Sequence, residues 1–226
     1  MTPRKKFDLS QLPEQPNLVF EQVLWQQGMK FVVGIDEAGR GALIGPVAVG
    51  AVVLPSDSSD LQDRLSGVRD SKEMSPEARE HWAIHIKRIA ISWGVGFASS
   101  KEIDLIGIVP ATYRAAARAM HKLNCKLEHA LVDFLTLPDL NFSQTALIKG
   151  DARSLTIASA SIIAKTERDA LLVALDRDFP AYHLASNKGY ATPEHLAAIA
   201  AFGPCEEHRF TFSPVADYYS FFPPDQ

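Results

Sequence analysis

Three short runs of strand-forming residues in this chain each stop at a carboxylate, and that recurrence limits the fold more than any other feature. The run over 31–35 leads into Asp36-Glu37, the run over 129–133 ends on Asp133, and the run over 145–149 is followed by Gly150-Asp151. Short apolar runs bounded by turn residues read as strands, and two more lie over 46–54 and 91–98. The segments between them have helical punctuation. Asn17 suits an N-cap and Gly28 a stop; Ser75-Pro76-Glu77 offers a capping hydroxyl, a first-turn proline and an acid at the positive end of the dipole. That helix should run to about residue 90, an alanine-rich one over 110–123, a long one over 154–176, and a last one from Thr192-Pro193 to Gly203-Pro204. The first two strands can pair as an antiparallel hairpin, although their connection through Gly39 and Gly41 is long for one. The order of elements implies an α/β protein, a mixed five-stranded sheet with helices packed on it.

Open sheets carry their chemistry beyond strand ends, where loops diverge and leave a crevice. Asp36, Glu37, Asp133 and Asp151 all fall at such ends. Acids gathered there repel one another unless a cation sits among them. Oxygen ligands without cysteine or histidine favour magnesium or manganese over zinc. Each acid also has a plainer reading, because Asp and Glu beside glycine serve turns, and for Asp133 or Asp151 taken singly the turn is the better explanation. Alternation along a strand cannot put neighbouring Asp36 and Glu37 on one face unless the strand has already ended. Spacing alone leaves the choice open.

Composition narrows the class. With 46% hydrophobic and 22% charged residues among 226, the chain is neither disordered nor fibrous. Its net charge of -4 excludes a generally basic nucleic-acid coat but not a local basic groove. Two distant cysteines, Cys125 and Cys205, support neither a disulfide framework nor a thiolate zinc site. The uncharged run over 41–55 is too short to span a bilayer, and the basic Arg4-Lys5-Lys6 is not followed by the apolar stretch of a signal peptide, so a cytoplasmic protein is expected. Residues 1–16 read as a loose lead-in, 17–215 as one domain with a helical C-terminal part, and 216–226 as an aromatic tail. There is no Walker lysine loop, no Gly-x-Ser-x-Gly elbow and no His-Glu-x-x-His pair.

At Asp36-Glu37-Ala38-Gly39-Arg40-Gly41 the sequence closely resembles the type 2 ribonucleases H, the ribonuclease HII family. The match continues through Gly45-Pro46-Val47, Asp70-Ser71-Lys72, Val132-Asp133 and Lys149-Gly150-Asp151. It then takes in the block from Ala158 to Lys165 with Arg168-Asp169, then Lys188-Gly189-Tyr190 and His208-Arg209, all in family order. The resemblance implies a ribonuclease H-like fold over the 17–215 domain. It implies an endonuclease that hydrolyses the RNA strand of RNA–DNA hybrids and nicks 5′ of single ribonucleotides embedded in duplex DNA. Two Mn2+ or Mg2+ ions would serve the reaction, leaving 3′-hydroxyl and 5′-phosphate ends. By position, Asp36, Glu37, Asp133 and Asp151 match the active-site carboxylates. Gly39, Arg40 and Gly41 match the loop that reads the ribose 2′-hydroxyl, and Tyr190 the tyrosine that packs on the adjoining deoxyribose. Lys72 is a candidate for phosphate.

Asp169 matches an acidic family position, yet it lies four residues after Lys165 on an expected helix, where an ion pair is the ordinary explanation. Two departures from the family pattern, Phe134 after Asp133 and Ala191 after Tyr190, bear on substrate positioning. Arg114, Arg118 and Lys122 form a basic stripe at helical spacing, a pattern more often a solvated face than a nucleic-acid groove. The aromatic tail is expected to fold back on the core, with docking to a replication clamp the weaker alternative because no leading glutamine is present. A monomer is the default. From other classes, a small-molecule phosphatase would want an Asp-x-Asp motif, and a non-catalytic hybrid-binding module would gain nothing from acids facing a polyanion.

Overall fold

The computed structural model describes residue 7, residue 8, residue 10 and residues 12–221. Half of the expected lead-in and the last five residues of the aromatic tail lie outside the described residues. In chain order the elements are α1 (Val19–Gln26), β1 (Val32–Ala38), β2 (Val47–Val53), α2 (Leu61–Arg64), α3 (Pro76–Ile89) and β3 (Ser92–Ala98). They continue with α4 (Ser100–Ile106), α5 (Ile108–Met120), β4 (His129–Asp133), β5 (Ser143–Leu147), α6 (Leu155–Leu175), α7 (Leu184–Asn187), α8 (Pro193–Phe202) and α9 (Val215–Phe221). The five strands form one mixed sheet in the order β3-β2-β1-β4-β5. β1 pairs antiparallel with β2, as the hairpin reading anticipates, and parallel with β4, which pairs parallel with β5.

Close approach of helix to sheet is built from small residues. A Cβ on Gly34 would lie 2.4 Å from the carbonyl of Thr156, and one on Gly50 would lie 2.2 Å from Ala160 O, so the first half of α6 rests directly on β1 and β2. Residues 155–164 of α6 are all buried. On the opposite face α5 meets β3 in the same way: Cβ atoms on Gly94 and Gly96 would lie 2.5 Å from Ala119 O and 2.0 Å from Ala115 O. The alanines of α5 that suggested a helix are those that let it sit this close, and Ala111, Ala115, Ala116 and Ala119 are buried.

The N-terminus of α6 is held by a buried acid. Ser154 caps the helix by accepting from Ile157 N at 3.2 Å, while Glu21 on α1 accepts from Ser154 Oγ at 2.6 Å and Thr156 N at 2.9 Å. A carboxylate there meets the positive end of the helix dipole. Burial nevertheless pushes the Glu21 carboxyl above its usual pKa. At the other end of the chain, Val215 of α9 is fully buried and Tyr218 packs against the cluster that holds Leu172, Tyr182 and Val215, so the tail meets the core at Tyr218.

Candidate active site

The parallel pairing of β1 with β4 reaches Ile35 and Val132, so Asp36 and Asp133 follow side by side at the ends of adjacent strands. Asp133 in turn pairs in register with Leu147 of β5, and Asp151 lies in the short turn after it. β1 runs further than expected because β2 continues to pair with it, matching Asp36 to Gly50, Glu37 to Val49 and Ala38 to Ala48. Alternation therefore holds through the acidic pair: Asp36 is buried, whereas Glu37 is half-buried and pairs with Arg40 at 3.1 Å.

These acids act on one another. Burial raises the Asp36 carboxyl well above its ordinary pKa, and the negative charges of Glu37, Asp133 and Asp151 push it the same way, offset in part by the Ser161 hydroxyl. Burial likewise lifts Asp133 to about 6, aided by Asp151 and Glu37 and opposed by the Gly150 amide and Lys72. Local hydrogen bonds hold the side chains: Asp36 Oδ1 accepts from Glu37 N at 2.7 Å, Asp133 Oδ1 from Gly150 N at 2.6 Å, and Asp151 Oδ1 from Ala152 N at 3.0 Å. Lys149 reaches this turn with a left-handed backbone, φ 57°, which ends the strand two residues earlier than expected.

One group suits a cation in particular. Asp36 Oδ2 is buried with no partner at hydrogen-bond distance, the Ser161 hydroxyl offsetting only part of its burial, an expensive condition for a carboxylate oxygen unless a positive ion meets it. The oxygen-only donor set fits a hard divalent ion. Among the described residues, no three acidic, histidine or cysteine side chains already stand close enough to grip one ion together.

The other predicted residues border a cleft of about 530 Å³ beside the acids. Glu37, Gly39, Arg40, Gly41, Ser71, Lys72 and Tyr190 line it, joined by Arg79 and Lys165. Gly39 has φ 85°, and a Cβ there would lie 1.9 Å from Arg168 Nε, so only glycine fits both the turn and its neighbour. Lys72 Nζ bonds Asp151 Oδ2 at 3.3 Å and stands 4.0 Å from Asp70. Partial burial works against its charge, but Asp70, Asp151 and Asp36 outweigh that and raise its pKa. The Tyr190 ring lies under Lys165 Nζ at 5.4 Å and Arg168 at 5.7 Å. Asp169 pairs with Lys165 at 2.8 Å and also with Arg79 at 3.6 Å. A larger groove of about 700 Å³ beside α5 contains one carboxylate, Asp139, and none of the motif residues.

The basic stripe, Arg114 and Arg118 on α5 and Lys122 just past its end, is half-exposed and bonded to groups of the same molecule. Arg118 makes two 2.8 Å bonds to Glu102, Arg114 stands 3.6 Å from the same carboxylate, and Lys122 donates to Val95 O at 2.6 Å. Arg79, Arg168 and Arg209 went unassigned in the sequence reading. Arg79 donates to Ser71 O and Met74 O, shaping the turn that carries Lys72. Arg168 and Arg209 are fully buried and donate to main-chain carbonyls of the 40–46 and 188 segments. A buried arginine serving carbonyls leaves no charge pattern in the sequence.

The model of the family described as Ribonuclease HII matches residues 33–215. Ribonuclease HII of Synechococcus sp. (strain JA-3-3Ab) is 47% identical over 203 residues, covering 90% of this chain and 90% of that protein. Among solved structures, ribonuclease H2 from Pyrococcus horikoshii OT3 superposes with a TM-score of 0.69 at 25% identity, covering 86% of this chain and 99% of that one. The RNase HII in a PCNA complex from Archaeoglobus fulgidus superposes with a TM-score of 0.67 at 29% identity, covering 81% and 95%. The mixed sheet with flanking helices is thus a ribonuclease H-like fold.

Proposed function

The chain belongs to the ribonuclease HII family, metal-dependent endoribonucleases, and on that premise we propose that it cuts the RNA strand of hybrids and nicks duplex DNA 5′ of a single embedded ribonucleotide. The observation that carries the reading is the buried, unpartnered Oδ2 of Asp36 under the charges of Glu37, Asp133 and Asp151. Asp36, Glu37, Asp133 and Asp151 are the proposed ligands for Mn2+ or Mg2+, which when bound supplies Lewis-acid activation of water and stabilises the leaving 3′-oxygen. The protein's own groups then select and hold the strand. Gly39 and Gly41 let bare backbone approach the 2′-hydroxyl, Tyr190 packs on the neighbouring sugar, and Lys72 attracts the phosphate chain. Asp169, tied to two cations, supports Lys165 and Arg79 instead of touching the reacting atoms.

Among the described residues no helix is long and apolar enough to cross a membrane, and a cytoplasmic site of action accords with that. Contact with a replication clamp through the aromatic tail is a separate proposal, tested by deleting residues 217–226 and measuring clamp binding, an unchanged affinity disposing of it. The test of function is a DNA duplex with one ribonucleotide, incubated with Mg2+, Mn2+ or chelator. Metal-dependent nicking on the 5′ side, leaving 3′-hydroxyl and 5′-phosphate ends, is expected. Cleavage of a simple aryl phosphate with none of the duplex would select a phosphatase, and binding without cleavage a non-catalytic module.

A further inference from the structure

Behind Tyr190 lies a pair of histidines that are 0% exposed, His195 on α8 and His208 in the segment that follows it. Their Nε2 atoms are 3.1 Å apart. His195 Nδ1 is 2.9 Å from Tyr190 O, and a carbonyl only accepts, so His195 carries its proton on Nδ1 and leaves Nε2 as a lone pair. Two groups of Cys205 face His208 Nδ1, its N–H at 3.0 Å, which only donates, and its carbonyl at 3.3 Å, which only accepts; the nearer N–H makes that nitrogen the lone pair, so His208 carries its proton on Nε2. The two assignments, made from opposite ends, agree in the middle. Cys205 N–H donates to His208, His208 Nε2–H donates to His195, and His195 Nδ1–H donates to Tyr190 O, which also accepts from Thr192 N at 2.8 Å. A proton added to His195 would set two N–H groups against each other at 3.1 Å, and one added to His208 would meet the Cys205 N–H at 3.0 Å.

The surroundings keep both rings uncharged. Burial lowers the His195 pKa, and burial together with His195 lowers His208 to about 4. The groups facing the pair are the Cys205 thiol, 3.2 Å from His208 Nδ1, and the Tyr182 ring, which meets both imidazoles edge-on while its hydroxyl donates to Gly203 O. Neither histidine forms an ion pair among the described residues.

Both ends of this chain grip the reading loop. Leu43 N donates to Gly189 O at 2.8 Å, Gly45 N to Glu207 O at 2.9 Å, Ile44 bridges to His208, and Arg209 donates to Arg40 O at 2.9 Å. We propose that His195 and His208 act as one neutral positioning pair, holding the main chain at Tyr190 where its ring meets a nucleic-acid sugar beside Gly39–Gly41. This rests on the reading of Tyr190 and that loop as substrate contacts.

Two measurements test it. NMR of the full chain labelled with 15N-histidine should find His195 protonated on Nδ1 and His208 on Nε2, with His208 neutral until about pH 4. Either ring in the opposite tautomer, or His208 titrating near 6.5, overturns the pair. In steady-state cleavage of a duplex with one ribonucleotide, His195→Leu should raise KM about fivefold, the worth of one ordinary hydrogen bond, with kcat nearly unchanged. His195→Asn, whose amide sits where Nδ1 was, should recover most of that loss. An unchanged KM in the leucine variant, or no recovery by asparagine, overturns the positioning role alone. A wild-type chain that cleaves no ribonucleotide duplex overturns the functional reading and the role with it, and a leucine variant that fails to fold leaves the NMR result decisive.

Discussion

Arg168→Lys should weaken the fold by several kcal/mol while conserving charge, because one buried guanidinium ties three stretches of main chain together. Its Nε donates to Pro46 O at 2.9 Å and its terminal nitrogens to Lys188 O at 2.9 Å and Ile44 O at 3.3 Å. Asp169, one residue along, pairs with Lys165 and Arg79 instead. A lysine ammonium is a point charge and serves one of these carbonyls; the fork of arginine serves all three. Two buried carbonyls left without donors cost about 1–3 kcal/mol each, so about 2–6 kcal/mol in all. In a chain of this size 1 kcal/mol shifts Tm by about 2–4 °C, so a fall of about 4 °C or more is expected. Urea titration should show a lower midpoint with an unchanged slope. The same carbonyls frame Gly39–Gly41 and Tyr190, so preference for ribonucleotide-containing over all-DNA duplex should fall as well. A Tm within about 1 °C of wild type, with preference intact, would refute the idea that Arg168 holds these loops.

Gly50→Ala places a methyl 2.2 Å from Ala160 O, forces α6 off β2 and should cost about 1–3 kcal/mol by thermal unfolding; activity should fall too, since Gly50 pairs with Asp36. Asp169→Asn should cost about 1–2 kcal/mol of stability and leave substantial turnover, whereas Asp36→Asn should keep the fold and abolish most turnover; circular dichroism and the nicking assay separate the two. Because Asp133 holds its proton up to about pH 6, divalent affinity should weaken as pH falls through that value, and binding there should release a proton, measured by calorimetry in two buffers of different ionisation enthalpy. Affinity independent of pH between 5 and 7 would contradict that shift.

Much of this architecture is legible in the residues. The capping signals at Ser75 and Thr192 open helices where expected, since each hydroxyl accepts a hydrogen bond from the third residue of its helix. The five strands fall where the short apolar runs put them, whereas their order, and the register that sets Asp36 beside Asp133, come from the pairing alone. Helix α4 was missed although Ser99 and Glu102 spell a complete capping box, because its seven residues carry little periodicity. The boundary of β1 was set too early because an acidic pair reads as a strand end, while β2 keeps hydrogen bonding to it through Ala38. Arg168, His208 and Arg209 stand in the family blocks, but their roles were not legible: the arginines serve main-chain carbonyls, most of them far away in sequence, and the two histidines meet each other only in the folded chain. The basic stripe of Arg114, Arg118 and Lys122 is the helix face its spacing suggests, answered by Glu102 and the carbonyl of Val95.

Side chains from three strand ends are proposed to share divalent ions. Titration of Mn2+ into wild type, Asp36→Asn and Asp151→Asn, followed by the electron paramagnetic resonance of the free ion, addresses it without any substrate. Saturable Mn2+ uptake by wild type, markedly weakened by either substitution in a folded protein, is the predicted result. Equal uptake by all three proteins would contradict it.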